Sequence, residues 1–439
     1  MRYNMKKFFS TILAFVAVIA IISLAVGCLI QNHNEIETEI NTGIEIDGYW
    51  SDKNQAYYGL KVSSGILTLN DEEFYGVGLN FYNLFYDNFQ SYRDTGVFNL
   101  NRSFEGLRVM AKNKIPVVRF NIMGYDRYLH GDTSLRGGDT SLYVNHKQDY
   151  LMALKALADE AERLHIGLLP SFFWCVSDIQ DYYDEPLNYI GNPNSQTVLH
   201  IKRFTKDVIN TLKNNKSVWG FEFGNEMNHA ADLPNWVDLT PPLPPWSMRA
   251  SRTIDDKITT DAVNYIYRVF AETVKENDPH KRMVSSGNGE IRASQYNNWK
   301  NGLWTVDTID QYKEVSSYLN PRPMDTAGEH FYDISTFAEH VQKLIDYSKV
   351  NNQAVFIGEF GAVIPTGSKP PVENFIAWNR YFRIIVSKKV QLSFVWNYTL
   401  VGTTIVDSFN ENTEYGRTIL QMIQAANSKF AEYYNRTTP

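Results

Sequence analysis

The chain has 439 residues, 44% of them hydrophobic and 14% aromatic, which is enough apolar material for one large barrel-type domain or two ordinary ones and excludes a disordered or fibrous protein. Its formal net charge is −7, and no Lys/Arg cluster occurs beyond the extreme N-terminus, so nucleic acid, whose phosphates need a basic face, is excluded as a partner. An uncharged or weakly charged partner is the natural complement, and 9 Trp and 27 Tyr offer flat apolar faces on which sugar rings stack, although most are expected to fill the core.

Residues 1–28 have the pattern of an export signal. Arg2, Lys6 and Lys7 precede an apolar run over residues 8–26, closed by Ala25-Val26-Gly27-Cys28. Small residues directly before a cysteine resemble a bacterial lipoprotein signal, with Cys28 as the lipid-bearing first residue. A plain cleaved signal and an uncleaved anchor stay open, because residues 8–30 are long enough to cross a bilayer. All three export the protein, so a membrane is met only through this anchor, at the cell surface; otherwise the protein is secreted. Cys175 is the only other cysteine, so acylation of Cys28 leaves no disulfide. Residues 29–56 are polar and acidic without a sustained period, and are read as a flexible tether. Residues 57–439 contain no comparable linker and form one domain, expected to be monomeric.

Alternation over residues 60–70 predicts a small β-hairpin. Strand-like stretches follow at 74–80, 116–121, 167–172, 218–224, 282–286, 326–330, 354–358 and 392–396. Helical patterns separate and follow them at 104–113, 147–165, 196–213, 257–276, 309–318, 334–349, 372–387 and 415–434. Alternating β and α units predict a parallel sheet, and eight of them predict a (β/α)8 barrel. Connections from helix into strand are short, while those leaving the third, fourth and fifth strands are long. In such a barrel the long loops lie on one face and build the active site.

Two strand exits on that face carry acids. Residues 218–228 read VWGFEFGNEMN, a buried-strand composition ending in Asn225 and Glu226, and residues 354–362 read AVFIGEFGA, ending in Glu359. Paired carboxylates are what glycosidic bond cleavage requires, and double displacement needs them ~5 Å apart. With Arg119 closing the second strand in VVRFN, His330 and Tyr332 closing the sixth in GEHFY, and Trp396 closing the eighth, the sequence resembles the retaining glycoside hydrolases on (β/α)8 TIM barrels. It is most similar to family 5, the cellulase and mannanase type.

The resemblance implies Glu226 as acid/base and Glu359 as nucleophile. Arg119 would keep Glu359 ionised, and the charge of Glu359 would raise the pKa of Glu226. It further implies that Asn225 bonds the sugar 2-hydroxyl, Tyr332 orients Glu359, His330 sits near the acid/base and Trp396 floors the reacting-sugar subsite. Glu222 shares the inward parity of Glu226 and is read as a structural carboxylate able to pair with Arg119. Trp174, Trp236, Trp246 and Trp304 are candidate subsite aromatics, with Tyr82, Phe85, Tyr86 and Tyr182 equally able to be packing. The chain departs from the family pattern at the end of the third strand, where PSFFWC lacks a histidine, and after the acid/base, where Met227 stands for proline. Zinc-peptidase, dinucleotide and serine-hydrolase motifs are absent from the sequence, and no metal or cofactor is expected. The expected activity is hydrolysis of a β-linked polysaccharide or oligosaccharide such as β-mannan or β-glucan. A non-catalytic carbohydrate-binding lipoprotein and a transglycosylase are the alternatives.

Overall fold

The computed structural model describes residues 58–123, 136, 139–362, 372–400 and 408–435. The predicted export signal with Cys28, and the predicted tether, lie outside the described residues. Among those described, no helix is long and apolar enough to cross a membrane.

Three short antiparallel strands, β1 (Lys61–Ser63), β2 (Ile66–Leu69) and β3 (Glu72–Glu73), form the first sheet. The predicted hairpin is its first two strands, paired Val62 to Leu67; the third was too short to leave a periodic signal. Eight strands make the main sheet: β4 (Gly76–Asn80), β5 (Val117–Asn121), β6 (Gly167–Phe173), β7 (Gly220–Gly224), β8 (Met283–Ser285), β9 (Thr326–Phe331), β10 (Ala354–Phe360) and β11 (Leu392–Val395). They run parallel in the order β8-β7-β6-β5-β4-β11-β10-β9, with the first and last barrel strands, β4 and β11, adjacent. The remaining seam, between β8 and β9, is closed at Asp325. Its backbone N–H donates to Val284 O at 3.0 Å, and its carboxylate accepts from Val284 N at 2.8 Å, standing in for a ladder carbonyl. The architecture is the expected (β/α)8 TIM barrel.

The core follows the strand period. Outward side chains such as Val118, Phe120, Phe221 and Phe223 join the large cluster shared with the helices. Inward ones at the N-terminal end, including Val117, Leu169, Met283 and Phe356, pack with Trp219, just before β7, and with Leu60, Leu67 and Leu69 in and beside the small sheet, which plugs the bottom of the barrel. Helix Gln196–Leu212 shows the local logic. Ser195 caps it by accepting from Val198 N, and Val198, Ile201, Phe204, Val208 and Leu212 form its buried stripe. The fifth predicted helix is Ile309–Leu319, started by a capping box of Thr308 and Gln311. Short helices that sequence periodicity did not reveal, among them Asp87–Thr95, Ser177–Tyr182 and Gln295–Asn301, lie in the connections that leave strands.

Candidate active site

Arg119, on the inward parity of β5, is fully buried, and each of its donors has an acceptor. Nε donates to Glu222 Oε2 at 2.6 Å, and Nη1 donates to Asn80 Oδ1 at 2.8 Å and to Glu359 Oε1 at 2.7 Å. Nη2 reaches Asn225 Oδ1 at 3.0 Å and Gly224 O at 3.5 Å. A planar fork suits this work, since one guanidinium on β5 fixes four side chains: Asn80 of β4, Glu222 of β7, Asn225 just after β7 and Glu359 of β10. Glu222 is therefore a buried structural partner of Arg119, and Asn225 keeps its amide NH2 for a ligand because its oxygen is taken.

Glu359 reaches the interior through an irregularity. Phe356 faces the barrel and Ile357 the outer core, so simple alternation would turn Gly358 inward and Glu359 outward. The β9–β10 register shifts here: Ile357 pairs with Glu329 and Glu359 with His330, leaving Gly358 as the extra residue. A Cβ on Gly358 would stand 2.5 Å from His330 Nε2, so glycine also makes room for the imidazole. The turned carboxylate accepts from Arg119 on Oε1 and from the Tyr332 hydroxyl on Oε2 at 2.5 Å. Tyr381 in turn donates to the Tyr332 carbonyl at 2.5 Å and holds that segment.

Glu226 follows β7 in a left-handed conformation (φ 51°), sparsely populated for a residue with a Cβ, and its N–H is held by Gly287 O at 2.8 Å. Its Oε1 lies 2.9 Å from His330 Nδ1 and its Oε2 lies 3.6 Å from His229 Nδ1. One carboxylate oxygen each of Glu226 and Glu359 and a ring nitrogen of His330 all fall within 4.8 Å of one another. The Glu226 side chain is 31% exposed and that of Glu359 only 5%, so the first faces solvent and the second the barrel.

The charge balance differs from the sequence expectation that Glu359 would raise the Glu226 pKa. Burial does push the Glu226 carboxyl up. The approach of His229 at 3.6 Å and the hydrogen bond with His330 together outweigh burial and hold it below the usual carboxylate range. Nothing in the sequence marks His229, three residues after Glu226, as a neighbour of that carboxylate. Asn80 and Tyr381 were missed as well; the only signal for Asn80 was a polar residue at the last position of a buried strand.

The triad Glu226, His330 and Glu359 has the atom spacing of a cation site. The donor set argues otherwise: the Arg119 guanidinium and the Tyr332 hydroxyl already occupy both oxygens of Glu359, and the fixed positive charge opposes a second cation there.

Of the four candidate tryptophans, Trp174 is packed into the site. Its ring lies under the Arg119 guanidinium at 4.9 Å, against Tyr82 at 4.6 Å, and stacked on Trp396 at 6.0 Å. Trp174 thus occupies the strand exit where the family pattern has a histidine, and joins Trp396 in an aromatic wall. Trp236 and Trp246 lie on the long loop after β7, where Trp246 packs against Arg136 at 5.4 Å. Trp304 sits on the loop after β8, 54% exposed, and Phe85 is wholly core.

A model of the Cellulase family, glycosyl hydrolase family 5, matches residues 174–399. No curated protein matches the chain. Similar solved structures include the endo-1,4-beta-mannanase of Rhizomucor miehei, at 13% identity with a TM-score of 0.57, over 84% of this chain and 99% of that one. The endo-beta-1,4-mannanase of Thermotoga petrophila aligns at 12% identity and TM-score 0.54, over 82% and 78%. The beta-mannanase of the blue mussel Mytilus edulis aligns at 16% and 0.50, over 84% and 97%. At these identities the structural likeness speaks for the barrel, while the family match spans the exits of β6 to β11 with both acids. The chain belongs to glycosyl hydrolase family 5 and is a glycoside hydrolase.

Proposed function

We propose that the protein cleaves β-linked mannan or glucan chains by double displacement with net retention, Glu226 acting as acid/base and Glu359 as nucleophile. The observation that carries this is the approach of the two carboxylates within 4.8 Å, close to the ~5 Å spacing that leaves no room for a water between acid and sugar. Glu226 gives its proton to the leaving oxygen while Glu359 attacks the anomeric carbon; Glu226 then takes a proton from the water that releases the sugar. Arg119 and Tyr332 aim the nucleophile, the Asn225 amide meets the 2-hydroxyl, and the Trp174–Trp396 wall stacks on the ring. Mannan and cellulose are the first substrates to compare, because the similar structures are described as mannanases and the family model as cellulase.

Glu226→Ala tests the assignment. The rate on polysaccharide should fall by at least about 10²-fold more than the rate on an aryl glycoside with a good leaving group, which needs no proton. Equal losses on both would remove Glu226 from the acid role. The Ala25–Cys28 motif supports presentation at the cell surface through an acylated Cys28; a mature chain that begins at Met1 by mass spectrometry would contradict it.

A further inference from the structure

The surroundings of His229 fix its chemistry. Its Nε2 lies 2.8 Å from the Glu290 carbonyl oxygen. A carbonyl only accepts, so Nε2 carries a proton whatever the charge on the ring. Nδ1 bears a second proton only when the ring is cationic, and Nδ1 is the atom that faces Glu226 Oε2 at 3.6 Å. The other oxygen of that carboxylate is served separately by His330 Nδ1, 2.9 Å from Oε1, which has a proton to donate in the Nδ1–H tautomer as well as in the cation. Between Oε2 and Nδ1 there is thus room for one proton. It makes either a neutral carboxyl facing an imidazole lone pair or a carboxylate facing an imidazolium. Without it, two lone pairs face each other.

The approach is built into the backbone. A Cβ on Gly289 would stand 2.4 Å from His229 Cε1 and 3.0 Å from Glu226 Cγ, so glycine alone leaves space for both groups. Arg292 on the same loop donates to the His229 carbonyl at 2.8 Å and to the Ala231 carbonyl at 2.7 Å, pinning the turn that carries the ring. The side chain of His229 is 40% exposed and can exchange protons with water.

Given Glu226 as the acid/base, we propose that His229 is a positioning residue that shares the catalytic proton with Glu226, so that the pair is loaded and discharged as one unit. In the first step the proton on Oε2 passes to the leaving sugar oxygen as the Glu359–sugar bond forms, leaving a carboxylate beside a neutral imidazole. In the second, water attacks the anomeric carbon, the bond to Glu359 breaks, and the proton of that water returns to the pair. One proton leaves in the released hydroxyl and one enters from water, so carboxyl and ring end each turnover as they began.

The groups facing His229 are Glu226 on its own turn, and the Glu290 carbonyl and Arg292 guanidinium from the loop after β8. The Glu290 carboxylate is drawn away to His340 Nδ1 at 3.0 Å. Burial pushes the imidazolium down, Arg292 does the same, and the nearby Glu226 carboxylate, with the Glu290 carbonyl, prevails in raising it.

The test is the pH profile of kcat/KM on a polysaccharide that the full chain cleaves, with His229→Gln and His229→Asn beside the parent. The basic limb reports loss of the pair's single proton, and in both variants it should move toward acid by about one pH unit or more. A uniform fall in rate with the limb in place would make His229 structural and overturn the proposal. Imidazole 15N NMR reads the pair without any activity. His229 should titrate above an ordinary histidine, carry its neutral-form proton on Nε2, and titrate lower in Glu226→Gln. A proton on Nδ1 in the neutral form, or a titration unmoved by Glu226→Gln, would refute the pairing. Failure of the parent to cleave any glycan would overturn the functional reading alone, and the NMR measurement would still decide the pair.

Discussion

Arg119→Met removes the one cation that two buried carboxylates share. The guanidinium lies 2.6 Å from Glu222 and 2.7 Å from Glu359, whose side chains are 0% and 5% exposed. Deleting one partner of a buried ion pair costs about 3–5 kcal/mol, because the remaining charge is left without compensation. That is a large share of the roughly 5–15 kcal/mol by which a domain is stable. Adding Glu222→Gln takes away one uncompensated charge and should restore about 2 kcal/mol. Activity should not return with it, since Glu359 Oε1 and Asn225 Oδ1 still lack their donor. Arg119→Lys keeps a charge but not the fork, and losing one charge-assisted hydrogen bond of about 1.5–3 kcal/mol corresponds to a fall in kcat/KM of roughly 10- to 150-fold. Urea denaturation followed by tryptophan fluorescence, with kcat/KM alongside, reads both effects. A loss below about 1 kcal/mol in Arg119→Met, or a double variant no more stable than the single one, would refute the electrostatic reasoning.

Tyr332→Phe deletes the hydroxyl that donates to Glu359 Oε2, and kcat should fall by about 10- to 100-fold with stability changed by less than about 1 kcal/mol. An unchanged kcat would remove Tyr332 from the site. Glu329 faces away from the cleft on β9, where burial pushes its pKa up to about 7 against the pull of the Tyr312 hydroxyl and Ile291 N–H. The folded pKa lies above the ordinary value of 4.5, so the contribution is complete below that value and is lost as pH rises through about 7, a swing of about 3 kcal/mol. Glu329→Gln should flatten stability between pH 5 and 8, as measured by urea midpoints; the same slope in both proteins would count against a neutral buried acid.

Much of the barrel was legible because its strands obey a period of two and its helices carry an apolar stripe. Glu226 and Glu359 stood out as acids at the ends of apolar runs, and Arg119 as a charge inside one. The sequence could not show how Glu359 turns inward. Alternation from Phe356 predicts the opposite face, and the extra residue Gly358 is defined only by pairing with β9. The charge state of Glu226 was hidden for a similar reason. His229 meets it through a left-handed turn and a loop from another strand, contacts that no spacing along the chain encodes. Trp236, Trp246 and Trp304 read alike with Trp174 as aromatics near strand exits, and only tertiary packing separates them.

The carboxylate spacing makes its most direct prediction about stereochemistry. Proton NMR of the first sugar released from a β-linked glycan, recorded before the anomers equilibrate, should show the β anomer, as two successive inversions at the anomeric carbon, the first by Glu359 and the second by water, require. A first-formed α anomer would mean a single displacement by water, and would contradict the nucleophilic role of Glu359.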